Sequence, residues 1–259
     1  MILDDIIEKR KIQLEREKSS APLKQIKKRA LEIKTPVKDF YSALKGIKLS
    51  VIAEVKKASP SKSVIKENFN PVDIAVSYQK SGADAISCLT EESFFQGKSD
   101  YLKNIRTAVD IPILRKDFIF DEYQIYEARA IGADAVLLIA AILDTDTMLK
   151  FKYIADSLGM HCLFEAHNST ELNNILKCSP KIVGINNRNL KTFEVSLENT
   201  RKLASMIPED CAIVSESGIS LNSDMIFVKN CGADAVLIGE SLMRSENISE
   251  TLNMLRKDV

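Results

Sequence analysis

A four-residue phrase, Gly-Ala-Asp-Ala, occurs three times in the chain, at residues 82–85, 132–135 and 232–235. A short apolar run follows each copy, and the copies start 50 and then 100 residues apart. Glycine commonly ends a helix and turns the chain, so each copy predicts a junction between a helix and a buried strand. Two strand–helix units then fit into 50 residues, which gives each unit about 25 residues.

Apolar runs at this spacing occupy the chain from residue 51 onward. There are eight of them, separated by helix-like segments, at 51–55, 85–89, 111–114, 135–139, 162–166, 182–185, 212–215 and 235–238. Eight such units are the number that a closed parallel barrel needs. The sequence therefore predicts an α/β fold, a (β/α)8 TIM barrel. An open doubly wound sheet is the alternative, although the Gly-x-Gly-x-x-Gly turn that typifies its first unit is absent.

Residues 1–48 have a different pattern, which predicts a helical N-terminal extension. Apolar residues recur at helical spacing among charges from Ile2 to about Lys18, and a second helical pattern follows the break at Pro22. The length of 259 residues suits one barrel domain, 1–259, that includes this extension. A decorative charged arm is the alternative interpretation of these residues.

Charge and composition exclude several classes of protein. The 36 basic and 36 acidic residues balance, whereas a nucleic-acid binder normally has a basic excess. The five cysteines never form Cys-x-x-Cys and predict reduced thiols, and His161 and His167 have no third ligand at metal spacing. The N-terminus lacks the pattern of a signal peptide, and no apolar run is long enough to cross a bilayer. We expect a cytoplasmic protein without a nucleic-acid or membrane partner.

Charged side chains stand at the ends of several predicted strands, where a barrel gathers its chemistry. The alternation of side chains along a strand places Glu54 with Lys56, and Lys116 with Phe118, on one face. The charged groups expected at one mouth are Glu54, Lys56, Lys116, Glu165 and Glu216. A purely structural explanation for five such charges is poor. They predict an active site with groups for general acid and general base catalysis.

Two glycines after the seventh and eighth runs predict a phosphate site. Gly218 and Gly239 each lie between an apolar run and a helix, where backbone N–H groups and helix N-termini hold phosphates in many barrels. A tight turn would use the same glycines. Ser59, after the first run, offers a hydroxyl to the same pocket. An apolar wall for a flat ring is expected from Phe95, Phe118, Leu137 and Ile139, for which ordinary barrel core is the alternative interpretation.

Seven motifs follow one another along the chain: Ile52–Ser61, Leu89–Gly97, Pro112–Phe118, Glu165–His167, Val183–Leu190, Val214–Ile219 and Leu237–Arg244. In content, order and spacing this set resembles the indole-3-glycerol phosphate synthase family of tryptophan biosynthesis. The resemblance covers all eight strand ends and the N-terminal arm. It implies a carboxy-lyase without a cofactor, which converts 1-(2-carboxyphenylamino)-1-deoxyribulose 5-phosphate into indole-3-glycerol phosphate, CO2 and water. The expected partner is this small-molecule substrate, and the chain is expected to be a monomer, with a weak dimer as the alternative.

The resemblance also implies roles for the residues at the mouth. Lys116 is the general acid that protonates the ribulose carbonyl as the new bond forms. Lys56 holds the substrate carboxylate, with Glu54 as its partner, and Glu165 is the base for later steps. The sequence leaves the division of labour among Glu54, Lys56 and Glu165 in dehydration open. The implied substrate contacts are Asn186 and Arg188 for polar groups, Glu216 and Ser217 for hydroxyls, Ser59, Gly218, Gly239 and the Glu240 N–H for phosphate, and Phe95, Phe118, Leu137 and Ile139 for the anthranilate ring.

The chain departs from the family pattern at two positions. Ser63 stands where the family usually has glycine, and a positive φ there would be strained for a serine. We therefore expect the loop after the first strand to differ in shape or mobility. Phe164 stands beside Glu165, where the family more often has valine. The strand period puts Phe164 on the outward face, so we expect little effect.

Three other functions fit parts of the pattern. A Schiff-base aldolase would form an imine on Lys116 or Lys56, which borohydride would trap. Phosphoribosylanthranilate isomerase is also a phosphate-binding barrel, and the length leaves room for only one barrel, which excludes a fusion of the two enzymes. A non-catalytic barrel subunit would bind a sugar phosphate or a protein without turnover, and the assembled acid and base groups argue against it.

Overall fold

Eight parallel strands close into a barrel in the computed structural model, which describes residues 2–60, 63–190 and 192–259. The strands are β1 (Ser50–Val55), β2 (Ala85–Leu89), β3 (Ile113–Lys116), β4 (Ala135–Ile139), β5 (His161–Ala166), β6 (Ile182–Asn186), β7 (Ala212–Glu216) and β8 (Ala235–Ile238). Each pairs with its neighbour in sequence, and β1 closes the ring against β8. The predicted barrel is confirmed, and the open-sheet alternative is wrong.

The helices that the structure describes are α1 (Ile2–Ser20), α2 (Leu23–Glu32), α3 (Phe40–Leu44), α4 (Pro71–Lys80), α5 (Ser99–Arg106), α6 (Glu122–Ala130), α7 (Thr145–Ser157), α8 (Ser169–Leu176), α9 (Glu198–Ala204), α10 (Asn222–Asn230), α11 (Glu240–Arg244) and α12 (Ile248–Leu255). The first two are the helices expected in the N-terminal segment. Two short antiparallel strands, Ala58–Ser59 and Ser63–Val64, pair in the loop after β1. Ser61, the last residue of the first motif, lies outside the described residues. None of the described helices combines the length and apolar content needed to cross a bilayer.

The strands are buried on both faces, as parallel barrel strands are. In β4, Leu137 and Ile139 point into the barrel, whereas Val136 and Leu138 belong to the outer core between strands and helices. Phe164 of β5 also lies in that outer core, on the face predicted from the sequence. This alternation aims Glu165 into the barrel.

The three Gly-Ala-Asp-Ala copies form the same junction at the N-terminal end of the barrel. Their glycines have φ of +88°, +94° and +94°, the left-handed conformation that glycine adopts without strain. Each aspartate that follows accepts a hydrogen bond from the first part of the preceding strand. The bonds are Val51 N–H to Asp84 at 2.7 Å, Ile113 N–H to Asp134 at 2.8 Å, and Ile213 N–H to Asp234 at 2.8 Å. The repeat therefore joins β1 to β2, β3 to β4 and β7 to β8, opposite the end that carries the chemistry.

Candidate active site

A cavity of about 490 Å³ opens at the C-terminal ends of the barrel strands. Its volume lies in the range of small-molecule sites. The predicted residues that line it are Glu54, Lys56, Ser59, Phe95, Lys116, Phe118, Leu137, Ile139, Glu165, Asn186, Arg188, Glu216, Ser217, Gly218, Gly239 and Glu240. The structure thus brings together every residue that the sequence indicated for the site.

Lys116, the last residue of β3, lies between two carboxylates. Its Nζ is 2.8 Å from Glu165 Oε2 and 3.2 Å from Glu216 Oε2, and all three side chains are largely withdrawn from solvent. Burial alone would lower the pKa of Lys116, but the charges of Glu165 and Glu216 outweigh it and raise that pKa. The ammonium is therefore charged throughout the physiological pH range.

The two carboxylates differ because one ammonium cannot stabilise both as anions. Burial works to raise the pKa of Glu165, but Lys116 and His167 outweigh it and lower that pKa to about 2. Burial and the nearby charge of Glu165 together raise the pKa of Glu216 to about 8, against the effect of Lys116. Near neutral pH, Glu165 is consequently ionised and Glu216 carries a proton. The site holds one anion, one cation and one neutral acid within a few ångströms.

Gly184 of β6 leaves the space that the Glu216 carboxyl group occupies. A Cβ at this position would overlap Glu216 Oε1 and come within 3.3 Å of a Leu163 methyl group. A side chain larger than hydrogen would therefore push the carboxyl group away from Lys116. The motif Val183–Leu190 contains this glycine, but the need for it follows from its contact with Glu216 on the neighbouring strand, which the sequence does not show.

A second charged pair lies across the mouth. Lys56 Nζ donates a hydrogen bond to Glu54 Oε2, as expected from their shared face. A Cβ at Gly239 would overlap Glu54 Oε2 and stand 2.8 Å from Lys56 Nζ, so this glycine makes room for the pair. The Lys56 side chain is 18% exposed, which leaves it accessible to a ligand in the cavity.

The ends of β7 and β8 form the polar side of the cavity. Ser217 and Gly218 have φ of +67° and +86°, which makes a tight left-handed turn after β7. Gly239 leads directly into α11, and Ser241 in that helix donates to Ile219 O at 2.9 Å. Arg244 of α11 also lines the cavity and contacts Glu240 Oε1 through Nε at 3.0 Å. Arg244 ends the motif Leu237–Arg244 but was not among the site residues predicted from the sequence.

The apolar side is built by aromatic and aliphatic groups. The rings of Phe95 and Phe118 have centroids 6.0 Å apart and are tilted by 40°. Leu137 and Ile139 complete this side from inside the barrel. Lining residues missed by the sequence analysis include Leu89, Leu190, Leu237 and, from α1, Ile2, Leu3 and Ile6. The N-terminal arm therefore contributes to the cavity wall, which a merely decorative arm does not.

A buried ion cluster attaches α1 to the strand end that carries Lys116. Arg10 is fully buried, and its Nε and Nη2 each donate to an Asp117 oxygen at 3.0 Å. Asp117 also accepts from Arg115 Nη2 at 3.0 Å and from Thr90 Oγ1 at 2.7 Å. Burial opposes the ionised form, but Arg10 and Arg115 outweigh it and lower the pKa of Asp117. Arg10 and Asp117 are 107 positions apart in the sequence, and no local sequence pattern predicted their contact.

His167 contacts the second oxygen of Glu165. Its Nε2 is 3.3 Å from Glu165 Oε1, and its Nδ1 is 3.0 Å from Glu171 Oε2. The alternation of side chains after β5 puts His167 on the face of Glu165, and this signal was overlooked. Within the described part of the chain, no group of three or more His, Cys, Asp or Glu side chains is arranged to hold a metal ion.

Ser63 keeps the backbone conformation that a glycine would adopt freely. Its φ is +53°, in the left-handed region that costs an ordinary residue about 1–2 kcal/mol. The expectation that this loop differs in shape or mobility from the family's stays a prediction.

Comparison with known sequences gives matches along nearly the whole chain. The family model described as Indole-3-glycerol phosphate synthase matches residues 3–255. The indole-3-glycerol phosphate synthase of Alkaliphilus metalliredigens is 51% identical over 257 residues, which cover 99% of this chain and 98% of the relative. The protein of the same name from Acetivibrio thermocellus is 51% identical over 255 residues, which cover 97% of this chain and 98% of the relative.

Solved structures share the fold at low sequence identity. Thiamine phosphate pyrophosphorylase from Pyrococcus furiosus matches with a TM-score of 0.62 and 19% identity, covering 85% of this chain and 96% of that chain. A 3-hexulose-6-phosphate synthase matches with a TM-score of 0.64 and 12% identity, covering 82% of this chain and 100% of that chain. At these identities the likeness concerns the TIM-barrel fold alone.

Proposed function

This chain belongs to the indole-3-glycerol phosphate synthase family, and we propose which of its side chains carry out each step of the synthase reaction. The chain has indole-3-glycerol phosphate synthase activity. Its substrate is 1-(2-carboxyphenylamino)-1-deoxyribulose 5-phosphate, which closes into an indole with loss of CO2 and water. The observation that carries the proposal is the Lys116 ammonium between Glu165 and Glu216.

Lys116 is the general acid of ring closure. The ring carbon that bears the carboxylate attacks the ribulose carbonyl, and the carbonyl oxygen takes the proton from Nζ as the bond forms. The ionised Glu165 carboxylate keeps Lys116 charged before the substrate arrives, so the general acid carries its proton when ring closure begins. Proton transfer by one positioned group is worth about 10²–10⁴-fold in rate.

Lys56 binds the substrate carboxylate. Its ammonium is partly exposed and is paired with Glu54, so a second carboxylate in the cavity can share it. This contact holds the carboxylated ring carbon against the carbonyl until the new bond is made. The carboxylate then leaves as neutral CO2, which has no charge for Lys56 to retain.

Glu165 becomes a base only after Lys116 has given up its proton. Lys116 is the main cause of the low pKa of Glu165. A neutral amine no longer stabilises the carboxylate, so the proton affinity of Glu165 rises when the acid step is complete. Glu165 then removes the proton from the methylene carbon, while the hydroxyl group formed at ring closure takes a proton from the Lys56 ammonium and leaves as water. The Lys116–Glu165 ion pair thus sets the order of the two steps: Lys116 acts first as the acid, and Glu165 acts afterwards as the base.

The remaining side chains bind and orient the substrate. Neutral Glu216 donates a hydrogen bond to a substrate hydroxyl, which an ionised carboxylate cannot do. The other proposed contacts are Asn186 and Arg188 with polar groups, Ser217 with a hydroxyl, Ser59, Gly218, Gly239 and the Glu240 N–H with the phosphate, and Phe95, Phe118, Leu137 and Ile139 with the anthranilate ring.

The domain organisation, the oligomeric state and the location are proposals too. Residues 1–259 form one barrel domain, of which residues 1–48 are a helical extension, and the chain acts as a monomer or a weak dimer. The contribution of α1 to the cavity wall supports treating the arm and the barrel as one unit. The five free thiols suit a reducing compartment, which supports a cytoplasmic location.

The substitution Lys116→Met tests the role of the acid. We expect kcat to fall by at least about 100-fold, because methionine fills the space but has no proton to give. The control is Lys150→Met, which removes an exposed lysine paired with Glu122 and leaves kcat unchanged. Circular dichroism checks that both variants are folded. A folded Lys116→Met variant with a near-normal rate would remove Lys116 as the acid.

A further inference from the structure

His167 is held in one orientation by groups from two elements. Glu171, in the first turn of α8, accepts hydrogen bonds from the His167 backbone N–H at 2.8 Å and contacts the ring Nδ1 at 3.0 Å. Asn168 Nδ2 donates to the other Glu171 oxygen at 2.6 Å. Asn199 Nδ2 donates to the His167 carbonyl at 3.1 Å. Ring and backbone are therefore both fixed, which leaves Nε2 facing Glu165.

Each oxygen of Glu165 faces a different nitrogen. Oε2 lies 2.8 Å from Lys116 Nζ, whereas Oε1 lies 3.3 Å from His167 Nε2. The reaction changes only one of these contacts. Lys116 loses its proton, and with it its charge, at ring closure, whereas His167 does not contact the reacting atoms. After that step the His167 ring is the group that still contacts the Glu165 carboxylate.

The surroundings of His167 favour the imidazolium form. Burial lowers its pKa, but Glu171, Glu165 and Glu216 outweigh this and raise it. The ring is 9% exposed and also lines a second, polar cavity of about 600 Å³. The ring therefore lies between Glu165 and this second cavity. The other charged groups around this second cavity are Arg188, Glu194, Glu198 and Lys202.

We propose that His167, fixed by Glu171, anchors Oε1 of Glu165 so that Oε2 is the oxygen that removes the methylene proton in dehydration. This inference rests on the proposed role of Glu165 as the base. His167 touches neither the substrate nor the reacting atoms in this scheme, so it is a positioning residue. No proton of the histidine is consumed, since the methylene proton moves to Glu165 Oε2 while His167 Nε2 stays in contact with Oε1 at 3.3 Å.

The test separates the two halves of the reaction in a single turnover. His167→Leu removes the ring nitrogens but keeps a side chain of related size. We expect indole formation to fall about 10–100-fold, because a small displacement of a catalytic group costs rate on this scale. Release of CO2 stays within about threefold of the unsubstituted chain, because ring closure uses Lys116. His167→Gln restores an N–H donor toward Oε1 and recovers part of the loss. Glu171→Gln gives the same split with a smaller effect.

The second histidine of the chain supplies the matched control. His161 lies at the start of β5, six residues earlier, and contacts Asp39 at 3.4 Å on the opposite end of the barrel. His161→Leu leaves both rates unchanged. Equal losses of CO2 and indole in His167→Leu, or no loss at all, would overturn the proposal. A Glu165→Gln variant that forms indole at the normal rate would instead refute the proposed base.

Discussion

Arg10→Met is the substitution that tests how the N-terminal arm is attached to the catalytic strand. Arg10 makes two hydrogen bonds of 3.0 Å to Asp117, the residue after Lys116, and is fully buried. Methionine keeps much of the apolar stem and removes the guanidinium. Asp117 then stays buried with Arg115, Thr90 and the Phe118 backbone N–H as its remaining partners.

Breaking a buried ion pair by removing one partner costs about 3–5 kcal/mol. We expect about 3 kcal/mol here, the low end of that range, because Arg115 still compensates Asp117. For a chain of this size each kcal/mol corresponds to about 2–4 °C, so the midpoint of thermal unfolding should fall by roughly 6 to 12 °C. Turnover should fall as well, because α1 contributes Ile2, Leu3 and Ile6 to the cavity wall.

Urea titration and thermal scans followed by circular dichroism measure the loss. Arg16→Met is the control, because it makes the same change in the same helix. Arg16 contacts Glu92 at 2.8 Å, but the two side chains are 66% and 40% exposed. Such surface pairs contribute at most about 1 kcal/mol. If Arg10→Met costs no more than Arg16→Met, the cluster does not attach the arm.

Two further predictions concern Glu216. Gly184→Ala displaces the Glu216 carboxyl group and should lower kcat about tenfold or more. The control is Gly46→Ala, which is remote from the mouth and should leave kcat unchanged. Equal kcat values for the two variants in steady-state assays would contradict this prediction. Because folding raises the pKa of Glu216 to about 8, its contribution to stability is present below the unfolded pKa and is lost as pH rises through about 8. Glu216→Gln should therefore lose less unfolding free energy than the unsubstituted chain between pH 6 and pH 9, and identical losses in urea titrations would refute the raised pKa.

The sequence predicted the barrel because its information is local and repeated. Buried strands and capped helices recur at a fixed spacing, and eight such units are the number that a closed barrel needs. The third run shows the limit of such patterns. Residues 111–114 were predicted, whereas β3 is Ile113–Lys116. Pro112 has no N–H to donate to the ladder, so the strand begins after it and extends to Lys116.

The lining of the site followed from the strand period, but its electrostatics did not. The period of two aims Glu165 and Lys116 inward, whatever their partners are. Which carboxylate pairs with Lys116, and which keeps a proton, depends on distances across the barrel. The same holds for Arg10 and Asp117, which no local pattern connects. His167 is the exception, because its place on the face of Glu165 was readable from the sequence.

The central claim is that Lys116 supplies the proton for ring closure and that Glu165 acts as the base afterwards. A single-turnover experiment that follows CO2 release and indole fluorescence together tests it directly, since the chain has no tryptophan of its own. We expect Lys116→Met to slow both signals by at least about 100-fold. Glu165→Gln should release CO2 within about threefold of the normal rate while indole formation falls by at least about 100-fold. Normal CO2 release from Lys116→Met, or normal indole formation by Glu165→Gln, would contradict the account.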